Sequence, residues 1–199
     1  MSELEQHLFE LYDVGEDGNE RFLGNGFRVK RNGRTVLTTA AHVAFEGTDQ
    51  RNLKAKAHDG SSTIVNLQFQ KKGWKDIAES ELPEINRDGL EHGSDNDLLS
   101  GENLEIIYST YNGWERARVE VKPTHVGCLS LETHPRKTIN RSYENTVDHI
   151  GSEEIQTAYP GCSGSPLLTK EGKVVGVLIR GWWEKGVQYC KSVIYTQED

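Results

Sequence analysis

The stretch Gly161–Leu167 reads Gly-Cys-Ser-Gly-Ser-Pro-Leu and decides the fold of this chain. A serine between two glycines, just before an apolar run, is typical of a nucleophile held in a tight turn. Gly161 and Gly164 permit backbone conformations that residues with a Cβ resist. Such a turn directs the amides of Gly161 and Ser163 towards one point, where they stabilise an oxyanion. The stretch therefore predicts Ser163 as an attacking hydroxyl and these two amides as an oxyanion hole.

The Gly-x-Ser-Gly pattern also has uses other than catalysis. Gly-x-Ser-Gly is also common in turns that only lead into a strand. It differs from the hydrolase elbow Gly-x-Ser-x-Gly, because Gly164 follows Ser163 directly. The chain also lacks the alternation of strands and helices that a lipase-like hydrolase requires. A nucleophile at Ser163 therefore depends on partners elsewhere in the chain.

Two upstream stretches supply such partners. The β-rich run Val36–Val43 contains His42, and Ser94–Leu99 reads Ser-Asp-Asn-Asp-Leu-Leu. Asp95 and Asp97 both compete for the role of the acid, and Asp97 is preferred because it directly precedes two leucines. An aspartate that accepts a bond from one ring nitrogen of His42 fixes its tautomer and stabilises the imidazolium formed during reaction. The order His, Asp, Ser along the chain is that of chymotrypsin.

These motifs resemble those of the chymotrypsin-like serine proteases, over roughly residues 21 to 196. The resemblance implies a serine endopeptidase with His42, Asp97 and Ser163 as the catalytic triad. The run Ile155–Thr157 with Pro160-Gly161, and the stretch Gly24–Phe27, are similar to the bacterial high-temperature-requirement proteases. The short loops are similar to those of viral polyprotein-processing members. The segments that carry the resemblance are Gly24–Phe27, Thr39–His42, Asn96–Leu99, Ile155–Thr157, Pro160–Leu167, Val175–Leu178 with Gly181, and Gly186-Val187.

The resemblance also implies the architecture: an all-β fold of two packed six-stranded antiparallel β-barrels with the triad between them. We expect an N-terminal extension over residues 1–20, a first barrel with His42 and Asp97 over 21–115, and a second barrel with Ser163 over 116–199. Asn32-Gly33 between alternating stretches predicts a hairpin. The polar stretch 71–94 is interpreted as an exposed insertion, either a surface loop or a cover over the cleft.

By resemblance, Thr157 forms the base of the primary specificity pocket. With no carboxylate there, we expect an uncharged, apolar or aromatic residue before the scissile bond, or else a Gln or Glu side chain bonded to Thr157. Cys162 replaces the acid that many relatives carry, which implies an enzyme without activation by a new N-terminus. Cys162 is either a packing residue or an alternative nucleophile. The other residues expected to line the pocket are Ala158, Leu178, Ile179, Gly181 and Gly186.

Composition limits the partners and the compartment. A net charge of -8 argues against binding to nucleic acid or anionic membranes. Three cysteines are few for a secreted protease of this kind, and the polar start predicts no signal peptide. No apolar run approaches the roughly 20 residues of a membrane span. We therefore expect a protein of the cytoplasm or host-cell interior. The resemblance to proteases implies a polypeptide substrate, and its viral members offer the protein's own polyprotein as one candidate.

The histidines and cysteines of the segment 125–149 are considered as metal ligands. His125-x-x-Cys128 has later histidines at 134 and 149 but no second closely spaced pair, so we predict neither a metal nor a cofactor. Two hypotheses for the function remain. One is an active endopeptidase of viral or cellular origin, and the other is a protease-like binding module that has lost activity.

Overall fold

A computed structural model describes most of the chain. The described residues are 4–45, 53–58, 60, 63–65, 67–73, 75–82, 88–100, 104–110, 113–121, 129–130, 138–139, 146–151, 161–184 and 187–197. Strands dominate these residues.

The N-terminal part forms an antiparallel sheet of seven strands. Its strands are β1 (Leu8–Val14), β2 (Glu20–Arg31), β3 (Arg34–Thr39), β4 (Leu53–Ala57), β5 (Thr63–Val65), β6 (Gln70–Lys71) and β7 (Ala78–Glu81). They lie in the order β5-β4-β1-β2-β3-β7-β6. The hairpin predicted at Asn32-Gly33 joins β2 to β3, with φ of 48° and 76° at these residues. Positive φ at both positions matches the right-handed twist of the paired strands.

The C-terminal part contains eight strands among its described residues. They are β8 (Leu104–Thr110), β9 (Gly113–Val121), β10 (Leu129–Ser130), β11 (Thr138–Ile139), β12 (Thr146–Gly151), β13 (Pro166–Leu168), β14 (Val174–Glu184) and β15 (Val187–Ile194). Six of them form a closed barrel in the order β12-β15-β14-β13-β8-β9. The two-residue strands β10 and β11 pair separately with each other.

Three short helical segments lie before or between the strands in the described part of the chain. A 3-10 turn covers Glu5–His7, α1 covers Ala41–Phe45 directly after β3, and α2 covers Asp95–Ser100. The two sheets share buried residues, as at Phe27 of β2, whose ring meets that of Tyr195 edge-on with centroids 6.5 Å apart. Tyr195 Oη also donates to Glu79 Oε1 of β7 at 2.7 Å.

The predicted all-β double-barrel fold is confirmed, but the N-terminal part is a seven-stranded sheet where a six-stranded barrel was expected. The internal boundaries also differ from the expected ones. Residues of the expected N-terminal extension form β1, which lies between β2 and β4 because Leu8, Phe9 and Leu11 are buried there. The hairpin β8–β9, expected partly in the first barrel, belongs to the second. The expected insertion at 71–94 contains β7, whose Ala78 is buried against β3.

Candidate active site

His42 is held by Asp76. The His42 amide donates to Asp76 Oδ1 at 2.9 Å, and His42 Nδ1 lies 2.8 Å from Asp76 Oδ2. Burial raises the pKa of Asp76, but hydrogen bonds from the His42 ring and amide outweigh it, so the pKa lies below its ordinary value. An ionised carboxylate only accepts, so Nδ1 carries the proton and Nε2 is the nitrogen that accepts one.

Sheet register brings these two residues together. In the antiparallel pair of β3 and β7, Thr39 lies opposite Ala78. The residues just after β3 and just before β7 therefore meet at the same end of the pair. The Ala41 amide donates to the Asp76 carbonyl at 3.2 Å, two residues beyond the last paired residues. His42 in α1 and the Asp76 carboxylate are thus fixed by the backbone of the first sheet.

Asp97 lies elsewhere and has another use, which corrects its expected assignment as the partner of His42. Asp97 Oδ2 accepts from the Ser94 amide at 2.7 Å and from its hydroxyl at 2.9 Å, and Ser94 Oγ accepts from the Asp97 amide at 3.2 Å. This reciprocal pattern is a capping box at the start of α2. The hydrogen bonds from Ser94 lower the pKa of Asp97. The competing Asp95 accepts from the Thr196 hydroxyl at 2.7 Å.

The turn around Ser163 requires its two glycines. Gly161 has φ of 98° and Gly164 has φ of 86°, both in the left-handed region. A Cβ on Gly164 would overlap the carbonyl oxygen of Asn25, and one on Gly161 would overlap the ring of Phe22. Both neighbours lie on β2. The turn of the second barrel is therefore packed tightly against the first sheet.

Strand β14 holds the other side of this turn. The Gly164 amide donates to the Leu178 carbonyl at 2.7 Å, and the Leu178 amide donates to the Ser165 carbonyl at 2.8 Å. Ser165 Oγ also donates to the Cys162 carbonyl at 2.7 Å. Leu178 itself is buried. The backbone on both sides of Ser163 is thus fixed by the second barrel.

The Ser163 hydroxyl donates to the Ile179 carbonyl at 3.1 Å. Ile179 lies where the register of β14 against β15 shifts, between Leu178 and Arg180. Among the contacts of the described residues, no hydrogen bond joins Ser163 Oγ to His42 Nε2. A Ser163 hydroxyl that donates to His42 would therefore have to give up its bond to the Ile179 carbonyl.

Some of the other expected site residues lie in the part of the chain that the structure describes, and the rest lie outside it. Cys162 is 4% exposed, which suits a packing residue better than a nucleophile that must meet substrate. Gly181 lies in β14 opposite Cys190. Thr157, Ala158 and Gly186 lie outside the described residues, as do the residues 125, 128 and 134 considered for a metal.

Two absences hold for the part of the chain that the structure describes. It contains no group of three or more His, Cys, Asp or Glu side chains arranged to hold a metal ion. It also contains no helix that is long and apolar enough to cross a membrane.

Sequence reasoning missed Asp76 and Asn25. Asp76 precedes Ile77-Ala78, the same acid-before-apolar pattern on which Asp97 was chosen, but it lies in the stretch interpreted as an insertion. Asn25 lies in the Gly24–Phe27 segment, which was noted only for its resemblance. Its side chain contacts the turn that carries Ser163, with Nδ2 donating to the Gly161 carbonyl at 2.8 Å.

Comparisons with known proteins identify the family of this chain. The family model of the trypsin-like peptidase domain matches residues 24–177, so the chain belongs to the trypsin-like peptidase family. That range covers His42, Asp76 and the complete turn around Ser163. No curated protein matches the chain.

Solved structures share the fold at low sequence identity. The MamO protease domain of Magnetospirillum magneticum in its apo form has a TM-score of 0.59 and 13% identity, covering 96% of this chain and 93% of its own. The inactive form of the Rv3671c protease has a TM-score of 0.55 and 15% identity, with coverages of 95% and 84%. A chain from a study of coupled folding and binding of the Sesbania mosaic virus VPg protein has a TM-score of 0.58 and 16% identity. The match covers 93% of this chain and 85% of that chain.

Proposed function

We propose that this protein is a serine endopeptidase that cleaves peptide bonds through an acyl-enzyme. Ser163 is the nucleophile, His42 is the general base and acid, and Asp76 orients His42 in place of the Asp97 expected from sequence. The observation that carries the proposal is the pair of bonds between His42 and Asp76, 2.8 Å from Nδ1 and 2.9 Å from the amide. They leave Nε2 as the proton acceptor, which is the arrangement this chemistry needs.

Each step of the proposed reaction uses a named group. Ser163 Oγ attacks the substrate carbonyl carbon while its proton passes to His42 Nε2. The C–N bond then breaks, and the same proton goes to the leaving amine. Water, deprotonated by His42, attacks the acyl-enzyme and releases the carboxylic acid product and Ser163. Asp76 stays ionised and stabilises the imidazolium in both halves of the reaction.

The amides of Gly161 and Ser163 form the proposed oxyanion hole. Support comes from the positive φ of Gly161 and from the bonds that fix Gly164 and Ser165 to β14. A donor that is fixed before the reaction costs no reorganisation when the oxyanion forms. Removal of one such donor typically raises the barrier by about 3–4 kcal/mol.

The proposed substrate is a polypeptide with an uncharged, apolar or aromatic residue before the scissile bond. This preference rests on the sequence expectation for Thr157, Ala158, Leu178, Ile179 and the glycines 181 and 186. Cleavage of a library of peptides with varied residues at this position tests it. Preferred cleavage after Arg or Lys would contradict it, and preferred cleavage after Gln or Glu would support bonding to Thr157.

A role in processing a viral polyprotein is the finer proposal, and a cellular intracellular protease is the alternative. The first rests on the short loops and few cysteines of the sequence. Incubation of the active protein with its own longer precursor tests it. Cleavage at the ends of this chain supports processing of its own polyprotein, and an intact precursor contradicts it.

A second candidate function is a binding module without catalytic activity. The bond from Ser163 Oγ to the Ile179 carbonyl favours it, because the hydroxyl donates to a backbone carbonyl in place of a base. Breaking one neutral hydrogen bond costs only about 1 kcal/mol, however, and substrate binding readily supplies that much. The endopeptidase therefore remains the better-supported function.

Labelling by a fluorophosphonate, which phosphonylates an activated serine, tests the proposal. The wild-type chain is compared with Ser163→Ala, His42→Ala and Cys162→Ala, each checked for folding by circular dichroism. We expect labelling of the wild type and of Cys162→Ala but not of the other two. An unlabelled, well-folded wild type would favour the binding module, and labelling that depends on Cys162 would identify a thiol nucleophile.

A further inference from the structure

Asn25 connects the first sheet to the turn that carries Ser163. It lies on β2 and is 1% exposed. Its backbone amide donates to the Ser163 carbonyl at 2.8 Å, and its backbone carbonyl accepts from Thr39 Oγ1 at 2.6 Å. The residue thus sits against the turn on the side opposite β14.

The side chain of Asn25 makes two further bonds of opposite polarity. Nδ2 donates to the Gly161 carbonyl at 2.8 Å, and Oδ1 accepts from the Ser109 amide of β8 at 3.0 Å. A carbonyl only accepts and an amide N–H only donates. The Asn25 Nδ2 group must therefore face the Gly161 carbonyl, and Oδ1 must face the Ser109 amide. Asparagine supplies a donor and an acceptor on one short branch. An ionised aspartate or a leucine of similar shape lacks the donor.

The bond to Gly161 acts on the orientation of one peptide unit. The Gly161 carbonyl belongs to the peptide that joins Gly161 to Cys162, and a planar peptide turns as a whole. Glycine at 161 has few steric limits of its own on rotation. The Asn25 side chain therefore supplies a restraint on the turn that the glycine lacks. It restrains the segment between the two amides of the proposed oxyanion hole.

We propose that Asn25 is a positioning residue that holds the Gly161–Cys162 peptide, and with it the oxyanion hole, in the orientation needed for catalysis. The catalytic part of this inference rests on the proposed endopeptidase function. The structural part, that the Asn25 side chain holds the turn, does not. Asn25 acts across the contact between the two barrels, so each barrel contributes to the placement of the oxyanion donors.

Amide hydrogen exchange tests the structural part without requiring activity. The measurement uses the full chain with Ser163→Ala, by NMR, and follows the amide of Gly164, which is bonded to Leu178 across the turn. The Thr169 amide, bonded to the Lys173 carbonyl at 2.8 Å between β13 and β14, is the reference within the same barrel. With Asn25→Leu added, we expect Gly164 to exchange about 10- to 100-fold faster relative to Thr169. An unchanged ratio would overturn the proposal.

Two further variants separate positioning from general loss of stability. Thr196→Val removes the hydrogen bond from the buried Thr196 hydroxyl to Asp95, which does not involve the turn, and should leave the ratio unchanged. Asn25→Asp regains the donor only when its carboxyl is protonated, since the O–H then donates to Gly161 and the other oxygen accepts from Ser109. Its ratio should match the parent at acid pH and rise as the carboxyl ionises. A ratio that does not change with pH would contradict the proposed role of the donor.

Kinetics on the active chain test the catalytic part. We expect Asn25→Leu to lower kcat for a peptide substrate, and the rate of phosphonylation, by about 100-fold, with a small change in KM, because the oxyanion forms only in the transition state. Thr196→Val should keep the wild-type rates. Unchanged rates in Asn25→Leu despite faster Gly164 exchange would overturn the positioning role. A wild type without activity would refute the proposed function, while the exchange ratio would still decide whether Asn25 holds the turn.

Discussion

Two acidic segments of this chain have similar sequences and different structures. Asp76 precedes Ile77-Ala78, and Asp97 precedes Leu98-Leu99. The first aspartate binds the ring and amide of His42, 34 residues away, whereas the second binds Ser94, three residues away. One segment continues as strand β7 and the other as helix α2.

The difference teaches that a local pattern does not identify the partner of a carboxylate. Hydrogen bonds lower the pKa of both Asp76 and Asp97, so a lowered pKa does not separate the site from the helix cap. The secondary structure that follows does separate them. Asp76 precedes β7, which pairs with β3, and this pairing places its carboxylate next to His42 of α1. Asp97 lies in the first turn of α2, and its carboxylate bonds the N-cap residue Ser94 of the same helix.

The largest expected effect comes from His42, the residue that Asp76 binds. His42→Ala removes the proton acceptor for Ser163, and we expect kcat to fall on the order of 10⁴- to 10⁶-fold. Steady-state hydrolysis of a peptide substrate measures it. Activity within 10-fold of the wild type in the folded variant would mean that another group acts as the base.

The next effect distinguishes the two acids. Asp76→Asn keeps the shape of the side chain but favours the wrong tautomer of His42, and we expect kcat to fall on the order of 10⁴-fold. Peptide hydrolysis at pH 7 to 9 measures it. A loss of less than 10-fold would show that Asp76 does not orient the base.

Asp97→Asn should change stability rather than activity. The capping box would lose its carboxylate, which costs about 1 kcal/mol in the free energy of unfolding. Urea denaturation measures this loss, with Asn96→Asp as a control at the neighbouring exposed position. A loss of peptide hydrolysis greater than about 5-fold would mean that Asp97 acts in the site.

The smallest expected effect is on the pH dependence of stability. The folded pKa of Asp97 lies below its ordinary value of 3.8, so its contribution is present above about pH 4 and is lost as pH falls through the folded pKa. Asp97→Asn should therefore lose less stability than the wild type between pH 5 and pH 3. Urea midpoints across this range measure the difference. Parallel curves would contradict the role of the Asp97 carboxylate as a cap.

Much of the fold could be predicted because its signals are local or follow chain order. Asn32-Gly33 specifies a hairpin by its own conformational preference, and the turn around Ser163 specifies its glycines for the same reason. The order of His42 and Ser163 then indicated the double barrel. The hairpin and the turn each depend on a few residues that lie close together in the chain, and the double barrel was implied by the order of such short motifs.

The remaining site features depend on long-range pairing. Asp76 reaches His42 only through the register of β7 against β3, and its segment is too polar to have been recognised as a strand. Asn25 bonds to Ser109 and Gly161, which are 84 and 136 residues away. The capping box at Ser94-x-x-Asp97 was visible in the sequence as a helix start. Its acid was instead assigned to the active site.

The most direct test of the central claim compares phosphonylation rates of Asp76→Asn and Asp97→Asn under the same conditions. If Asp76 orients His42, the rate falls at least 100-fold in Asp76→Asn and stays within about 3-fold of the wild type in Asp97→Asn. The reverse order, with Asp97→Asn slow and Asp76→Asn fast, would contradict the account. It would return the role of the third triad residue to Asp97.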